Sequence, residues 1–160
     1  MLHEITSNVD PRFAVDQPAL TRTAEIVLVA EIEQPAVMSF VVVDDEQIRA
    51  LNRDWRGYDE PTDVLSFGLS ERAKPAVDGE EPFPFPRAPD EALHLGEVVI
   101  AFPTAERQAA EHGRPLEEEL RHLLIHGILH LLGYDHAEAE EEAVMRARET
   151  ELLRASAPAR

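Results

Sequence analysis

Cysteine is absent from this 160-residue chain, which excludes disulfides, thiolate zinc sites, iron–sulfur clusters and a catalytic thiol. Long apolar runs are absent as well. No apolar run approaches the length of about 20 residues that is needed to cross a membrane. The first residues also lack a basic start followed by an apolar stretch, as a leader would have. We therefore expect a cytoplasmic protein with no membrane partner, in which any metal is bound by His, Asp or Glu.

Positive charge is scarce in this chain. Its 15 Lys and Arg residues stand against 32 Asp and Glu residues, and the formal net charge is -17. This balance argues against a broad surface for polyanions, because phosphate binding draws on surplus Lys and Arg. The position of each arginine therefore matters more than the total, since a guanidinium can pair with phosphate through two hydrogen bonds.

The apolar content of 44% is sufficient for the core of one domain. A segment from about 70 to 94 is rich in proline, and we interpret it as an inserted surface loop rather than a linker between domains. Apolar runs predict strands at 40–43, 63–67 and 97–102, and periodic, capped segments predict helices at 18–33, 104–111, 115–132 and 138–153. We predict one α+β domain over 1–160, in which a small mixed β-sheet carries several helices.

Three of the seven histidines, His126, His130 and His136, fall within eleven residues. The first two are spaced i, i+4 and share one face of a helix, and Gly133 can end that helix with a positive φ, so that His136 returns toward the pair. Three imidazoles leave a fourth position for water, as in catalytic zinc sites. As core histidines they would leave several ring nitrogens without partners. We predict one Zn²⁺ per chain, with His122 outside the ligand set.

This histidine spacing is similar to that of metzincin peptidases, which carry a glutamate directly after the first histidine. Here that residue is Gly127. The glutamate is the general base for peptide hydrolysis, so the chain lacks the group that this reaction needs. A phosphodiester is an acceptor that suits a zinc site without the carboxylate. A metzincin-like hydrolase of another bond remains one alternative.

Arg49, Arg53 and Arg56 are spaced i, i+4 and i+7 and predict a cationic stripe on a short helix that follows Asp44. We interpret Arg49 and Arg53 as part of a solvated face. Arg56 differs because Gly57 follows it at a predicted helix end, from which a guanidinium can project into a cleft. The residues alone give a functional and a solvated Arg56 equal weight.

Three segments of the chain resemble the YbeY family of bacterial endoribonucleases and ribosomal RNA maturation factors. They are His126 to His136 (HGILHLLGYDH), Pro61 to Phe67 (PTDVLSF) and Leu95 to Ile100 (LGEVVI). The resemblance implies a single-strand-specific, zinc-dependent endoribonuclease that acts in maturation of the 3′ end of 16S ribosomal RNA and in ribosome quality control. The implied partners are single-stranded or ribosomal RNA and the small ribosomal subunit or its assembly factors.

The resemblance also implies roles for individual residues. His126, His130 and His136 would bind zinc, and Arg56 would be the arginine on which RNA cleavage depends, both as a catalytic and as a substrate-binding residue. We accordingly expect the zinc-binding helix to line one wall of a cleft and Arg56 to reach in from the other. The remaining alternative is a zinc-containing ribosome-assembly factor without catalytic activity.

Overall fold

The computed structural model describes residues 3–68, 93–134 and 138–157. Within these ranges it contains four strands, which are β1 (Glu4–Val9), β2 (Ala36–Val43), β3 (Val64–Gly68) and β4 (Leu93–Ala101). The helices of the same ranges are α1 (Gln17–Glu31), α2 (Asp45–Arg56), α3 (Phe102–His112), α4 (Leu116–Leu131) and α5 (Ala139–Ala155). None of these helices is long and apolar enough to span a membrane.

The strands form one mixed sheet in the order β1-β2-β4-β3. β2 pairs in parallel with both β1 and β4, whereas β3 runs antiparallel to β4. The predicted α+β class with a small mixed sheet is therefore confirmed. Residues 98–101 of β4 are all buried, as the unbroken apolar run predicted for a strand covered on both faces.

Alternate residues of β4 belong to two different cores. Val98 and Ile100 pack in a large cluster that includes residues of α1, α4 and α5. Val99 and Ala101 pack in a smaller cluster with Ile48 of α2. The side chains of a strand point alternately to opposite faces, so α4 lies on one face of the sheet and α2 on the other.

The N-termini of α1 and α2 are capped by the aspartates that the sequence indicates. Asp16 accepts a hydrogen bond from the backbone N–H of Ala19 at 3.1 Å. Asp44 and Gln47 form a reciprocal capping box at the start of α2. These local signals fix where α2 begins, and therefore where its last residue, Arg56, lies.

The predicted Pro-rich loop of about 70–94 extends too far at its end. Leu93 and His94 already belong to β4, where they pair with Ala36 and Val37 of β2. The predicted strand at 97–102 accordingly starts too late, because Gly96 interrupts the apolar pattern at a register shift without ending the strand. The rest of the predicted loop, residues 70–92, lies outside the described residues.

Candidate metal centre and its surroundings

His126 and His130 bring their ring nitrogens together on one face of α4. Their Nε2 atoms are 3.1 Å apart. Two nitrogen ligands of a tetrahedral zinc ion, each bound at about 2.0–2.1 Å, lie about 3.3 Å from one another. The pair therefore converges as two ligands of one ion would. His136 lies outside the described residues, so the third ligand stays a prediction.

A buried carboxylate orients His126 from the opposite edge of its ring. Nδ1 of His126 lies 3.1 Å from Oε1 and 3.3 Å from Oε2 of Glu149, a residue of α5 that is 6% exposed. Burial alone would raise the pKa of Glu149, but hydrogen bonds from His122 and His126 outweigh it and lower the pKa to about 2. An ionised carboxylate only accepts hydrogen bonds, so Nδ1 carries the proton and Nε2 keeps its lone pair.

The donor set fits a zinc ion on this chemistry. Metal-bound histidines commonly donate their second ring N–H to a carboxylate, which fixes the tautomer and the ring orientation. His126 makes this contact with Glu149, and its Nε2 faces His130. The metal assignment itself stays a prediction.

His122 occupies the turn before His126 and contacts carboxylates rather than the histidine pair. Its Nε2 lies 3.2 Å from Oε1 of Glu149, and this hydrogen bond raises the pKa of His122. Its Nδ1 lies 3.9 Å from Oε1 of Glu119, which is 1% exposed. His122 thus hydrogen-bonds one buried carboxylate, and its buried Nδ1 has no hydrogen-bond partner within the described residues.

Glu149 was not among the residues that the sequence singled out for the site. The buried residues of α5 are Met145, Glu149 and Leu152, spaced i, i+4 and i+7. An acid within an otherwise apolar stripe needs a buried partner. An acidic residue at a buried position of the apolar stripe was the sequence signal that could have identified Glu149 as a site residue.

Gly127 lets α4 lie close to the sheet. A Cβ at this position would come within 2.6 Å of Cγ1 of Val98 and 3.1 Å of Oγ of Ser66. The Ser66 hydroxyl also donates a hydrogen bond to the Gly127 carbonyl at 2.9 Å. A glutamate here would be directed into β3 and β4, so the packing of α4 leaves no room for the metzincin general base.

A cavity of about 620 Å³ opens beside His126. Charged and polar residues that line it include Asp63, Arg114, His122, Arg146 and Glu149. Asp63 immediately precedes β3, so the cavity joins the segment Pro61 to Phe67 to the histidine helix. Two of the three segments that carried the family resemblance thus meet at one place.

Arg56 is not among the described residues that line this cavity. It is exposed at the end of α2, before Gly57, whose φ of 80° closes the helix. Arg49 pairs with Asp59 at 2.8 Å, and Arg53 with Asp54 at 3.1 Å. Within the described residues the Arg56 side chain has no such partner. Of the three arginines in the predicted cationic stripe, Arg56 is the one without an acidic partner among the described residues.

Fold and site together define an α+β protein in which a sheet supports a helix with a histidine pair, one member of which is oriented by a buried carboxylate. Residues 6–157 match the family described as Endoribonuclease YbeY. The chain belongs to the YbeY family, which confirms the resemblance of its motifs and assigns it to a family of endoribonucleases.

Individual relatives are similar over most of their length. The chain is 46% identical over 153 residues to Endoribonuclease YbeY of Pelotomaculum thermopropionicum, covering 93% of both chains. It is 44% identical over 149 residues to Endoribonuclease YbeY of Dehalococcoides mccartyi, covering 91% of this chain and 86% of the relative. The solution structure of TM1509 from Thermotoga maritima has a TM-score of 0.60 at 27% identity, covering 95% of this chain and 88% of that one.

Proposed function

We propose that this protein is a zinc-dependent, single-strand-specific endoribonuclease that acts in 3′ end maturation of 16S ribosomal RNA and in ribosome quality control. The observation that carries the proposal is the convergence of the two Nε2 atoms at 3.1 Å, with Nδ1 of His126 bonded to Glu149. The names of its relatives support the choice of RNA as substrate. The proposal includes one domain over 1–160, a cytoplasmic location, and the small ribosomal subunit or its assembly factors as partners.

His126, His130 and His136 would hold the zinc ion. When bound, zinc would act as a Lewis acid toward a phosphoryl oxygen and would lower the pKa of a bound water molecule to about 7. Glu149 keeps the proton of His126 on Nδ1, so that Nε2 stays a neutral donor. Gly127 holds α4 against the sheet and thereby fixes the backbone on which both imidazoles are carried.

Arg56 would bind the scissile phosphate. A guanidinium can donate two hydrogen bonds to phosphate oxygens and stabilise the negative charge that develops on them in the transition state. The lack of a carboxylate partner among the described residues supports this role, because no ion pair has to break first. Arg49 and Arg53 lack this property, since Asp59 and Asp54 already compensate them.

The test is the charge reversal Arg56→Glu. We expect at least about 100-fold slower single-turnover cleavage of single-stranded RNA, since one such contact contributes a few kcal/mol to the transition state. Zinc content and melting temperature should stay unchanged. Arg53→Glu, three residues earlier on the same helix, is the matched control and should retain most of the activity. Near-normal cleavage by Arg56→Glu, or equal losses in both variants, would remove Arg56 from the site.

Product analysis separates the proposal from the non-catalytic alternative. Zinc-loaded wild-type protein should cut single-stranded RNA internally, and mass spectrometry of the new ends should find either a cyclic phosphate or a linear phosphate. A cyclic phosphate indicates attack by the 2′-hydroxyl of the RNA. A zinc-loaded protein that binds the small subunit and never cuts RNA would instead be an assembly factor.

A further inference from the structure

We propose that the exposed end of α2 is a stacking platform for the bases of single-stranded RNA. We define the platform as Trp55, Arg56 and Tyr58. The inference deepens the proposed function and rests on it for the identity of the ligand. It adds two residues, Trp55 and Tyr58, to which neither the motifs nor the metal centre assigns a role.

Both aromatic side chains of the platform are left in solvent. Trp55 is 59% exposed and Tyr58 is 62% exposed. They lie three residues apart, on either side of Arg56 and Gly57. Single exposed apolar residues are common on protein surfaces. Two large aromatic rings beside a cation that has no acidic partner in the described ranges match the composition of binding sites rather than of ordinary surface. The position therefore calls for a ligand with flat apolar faces and negative charge.

Within the platform, Trp55 packs against the sheet. The Trp55 ring meets the ring of Phe67 at its edge, with centroids 6.0 Å apart and an angle of 65° between the planes. Phe67 lies in β3 and is 4% exposed, so it anchors Trp55 to the sheet. A base stacked on Trp55 would then contact a ring that loses little conformational freedom on binding.

The turn that carries Tyr58 is also fixed. The backbone N–H of Gly57 donates to the carbonyl of Arg53 at 3.1 Å, and that of Tyr58 donates to the carbonyl of Asn52 at 3.3 Å. The buried Asn52 side chain donates to the carbonyl of Glu60 at 2.9 Å, which ties the end of the turn back to α2. Both rings of the platform are therefore carried by the same hydrogen-bonded helix end.

The charges around the platform favour a single strand over other polyanions. Asp54 and Asp59 compensate Arg53 and Arg49, which leaves Arg56, between the two rings, as the arginine of this helix without an acidic partner among the described residues. Stacking must then supply most of the affinity, because few phosphates can be neutralised in a chain of net charge -17. A duplex hides the faces of its bases, whereas a single strand offers each base for stacking. The platform would thus contribute to single-strand specificity.

β3 connects the platform to the histidine helix. Phe67, which supports Trp55, follows Ser66 directly in β3. The Ser66 hydroxyl bonds the carbonyl of Gly127, which is the neighbour of His126. Phe67 and Ser66 point to opposite faces of the sheet, so the platform and the histidine helix are supported by the same short strand from its two sides.

Trp55 is the only tryptophan of the chain, so its fluorescence reports on the platform alone. We would titrate the full chain with a strand of ten deoxyadenosines, which offers bases and phosphates but no 2′-hydroxyl to attack. The comparison ligand is an abasic strand of equal length. We expect saturable quenching by the first strand, and at least about 5-fold weaker binding with little quenching by the second.

Variants then divide the affinity between stacking and charge, measured by anisotropy of a labelled deoxyadenosine strand. Trp55→Ala should weaken binding by about 5- to 100-fold without changing the salt dependence, and Trp55→Phe should restore most of the affinity. Arg56→Gln should make the log–log salt slope shallower by about 0.7, the value for one phosphate of a single strand. Val29→Ala, an equally exposed apolar residue of α1, is the control and should bind normally.

Equal binding of the two strands, or normal binding by Trp55→Ala, would overturn the platform. Wild-type protein unquenched by either strand would do the same and would point to a protein partner at this surface. The outcome is independent of catalysis: a wild type that binds through Trp55 but never cuts RNA refutes the proposed function and leaves the platform standing. Normal cleavage together with normal binding by Trp55→Ala refutes the platform alone.

Discussion

Glu149 determines which nitrogen of His126 is available to a metal. Either nitrogen of a neutral imidazole can carry the proton. A carboxylate at one edge of the ring fixes the tautomer, because it accepts a hydrogen bond from the nitrogen that carries the proton. Glu149 does so at 3.1 Å and accepts from His122 at 3.2 Å as well. One buried acid therefore governs two histidines on successive turns of α4.

We expect Glu149→Gln to weaken zinc binding by about 10- to 100-fold, because an amide has no charge and can offer its NH₂ group in place of an acceptor. Competition with a chromophoric chelator measures the affinity, and circular dichroism checks that the variant is folded. Glu151→Gln, which changes an exposed acid two residues along the same helix, should bind zinc normally. An unchanged affinity in Glu149→Gln would mean that the carboxylate only fills the core.

At the scale of elements, Gly127 allows α4 to pack closely against the sheet, because it has no side chain. We expect Gly127→Ala to lower the free energy of unfolding by up to about 2 kcal/mol. The overpacking cost of about 1–3 kcal/mol exceeds the about 1 kcal/mol that Ala gains over Gly in a helix. Urea denaturation measures the difference.

Val98→Ala provides the partner for a double-mutant cycle with Gly127→Ala. The Val98 methyl group is the atom that a Cβ at position 127 would meet at 2.6 Å. Removing it should make the added methyl group tolerable, so the two losses should not add. Strictly additive losses would place the strain elsewhere than at this contact.

The start of α2 depends on Asp44, which caps the helix and also binds Arg12. Asp44→Ala should cost about 0.5–2 kcal/mol at neutral pH, the usual cost of losing a cap. The Arg12 guanidinium, and then the Gln47 N–H, hold the pKa of Asp44 below its usual 3.8. A lowered pKa means that the stabilisation is present above about pH 4 and fades as the pH falls below it. Thermal melts of both proteins between pH 7 and pH 3 should therefore converge on acidification.

The elements that sequence alone predicts well are those with local signals. Asp16 and Asp44 indicate where helices begin, and each accepts a hydrogen bond from a backbone N–H group only three residues later. The histidine spacing likewise predicts the 3.1 Å approach of His126 and His130, because i and i+4 share a helix face.

Features that depend on distant partners were not predictable in the same way. Glu149 is 23 residues from His126, and the local sequence of α5 does not indicate which residue is its partner. The start of β4 at Leu93 depends on pairing with β2, more than fifty residues earlier in the chain. His3 is another case, since its Nδ1 accepts the backbone N–H of Ala36 across 33 residues.

For the whole molecule, we expect one zinc ion per chain and a stability that depends on it. A ligand that binds only the folded state adds stability in proportion to the logarithm of its concentration over Kd, so chelation should lower the melting temperature. Elemental analysis and calorimetry measure the two quantities. The double variant His126→Ala and His130→Ala should hold no zinc and should melt at the same temperature with or without a chelator. Unchanged zinc content in that variant would exclude the pair as ligands.

The long separation between the histidine pair and its supports has a consequence for biosynthesis. Ser66 is made 61 residues before Gly127, so the strand that receives α4 exists when that helix leaves the ribosome. Glu149 is made 23 residues after His126, so the carboxylate that aligns the imidazole arrives last. The proposed metal centre can therefore take its final arrangement only after α5 has been synthesised.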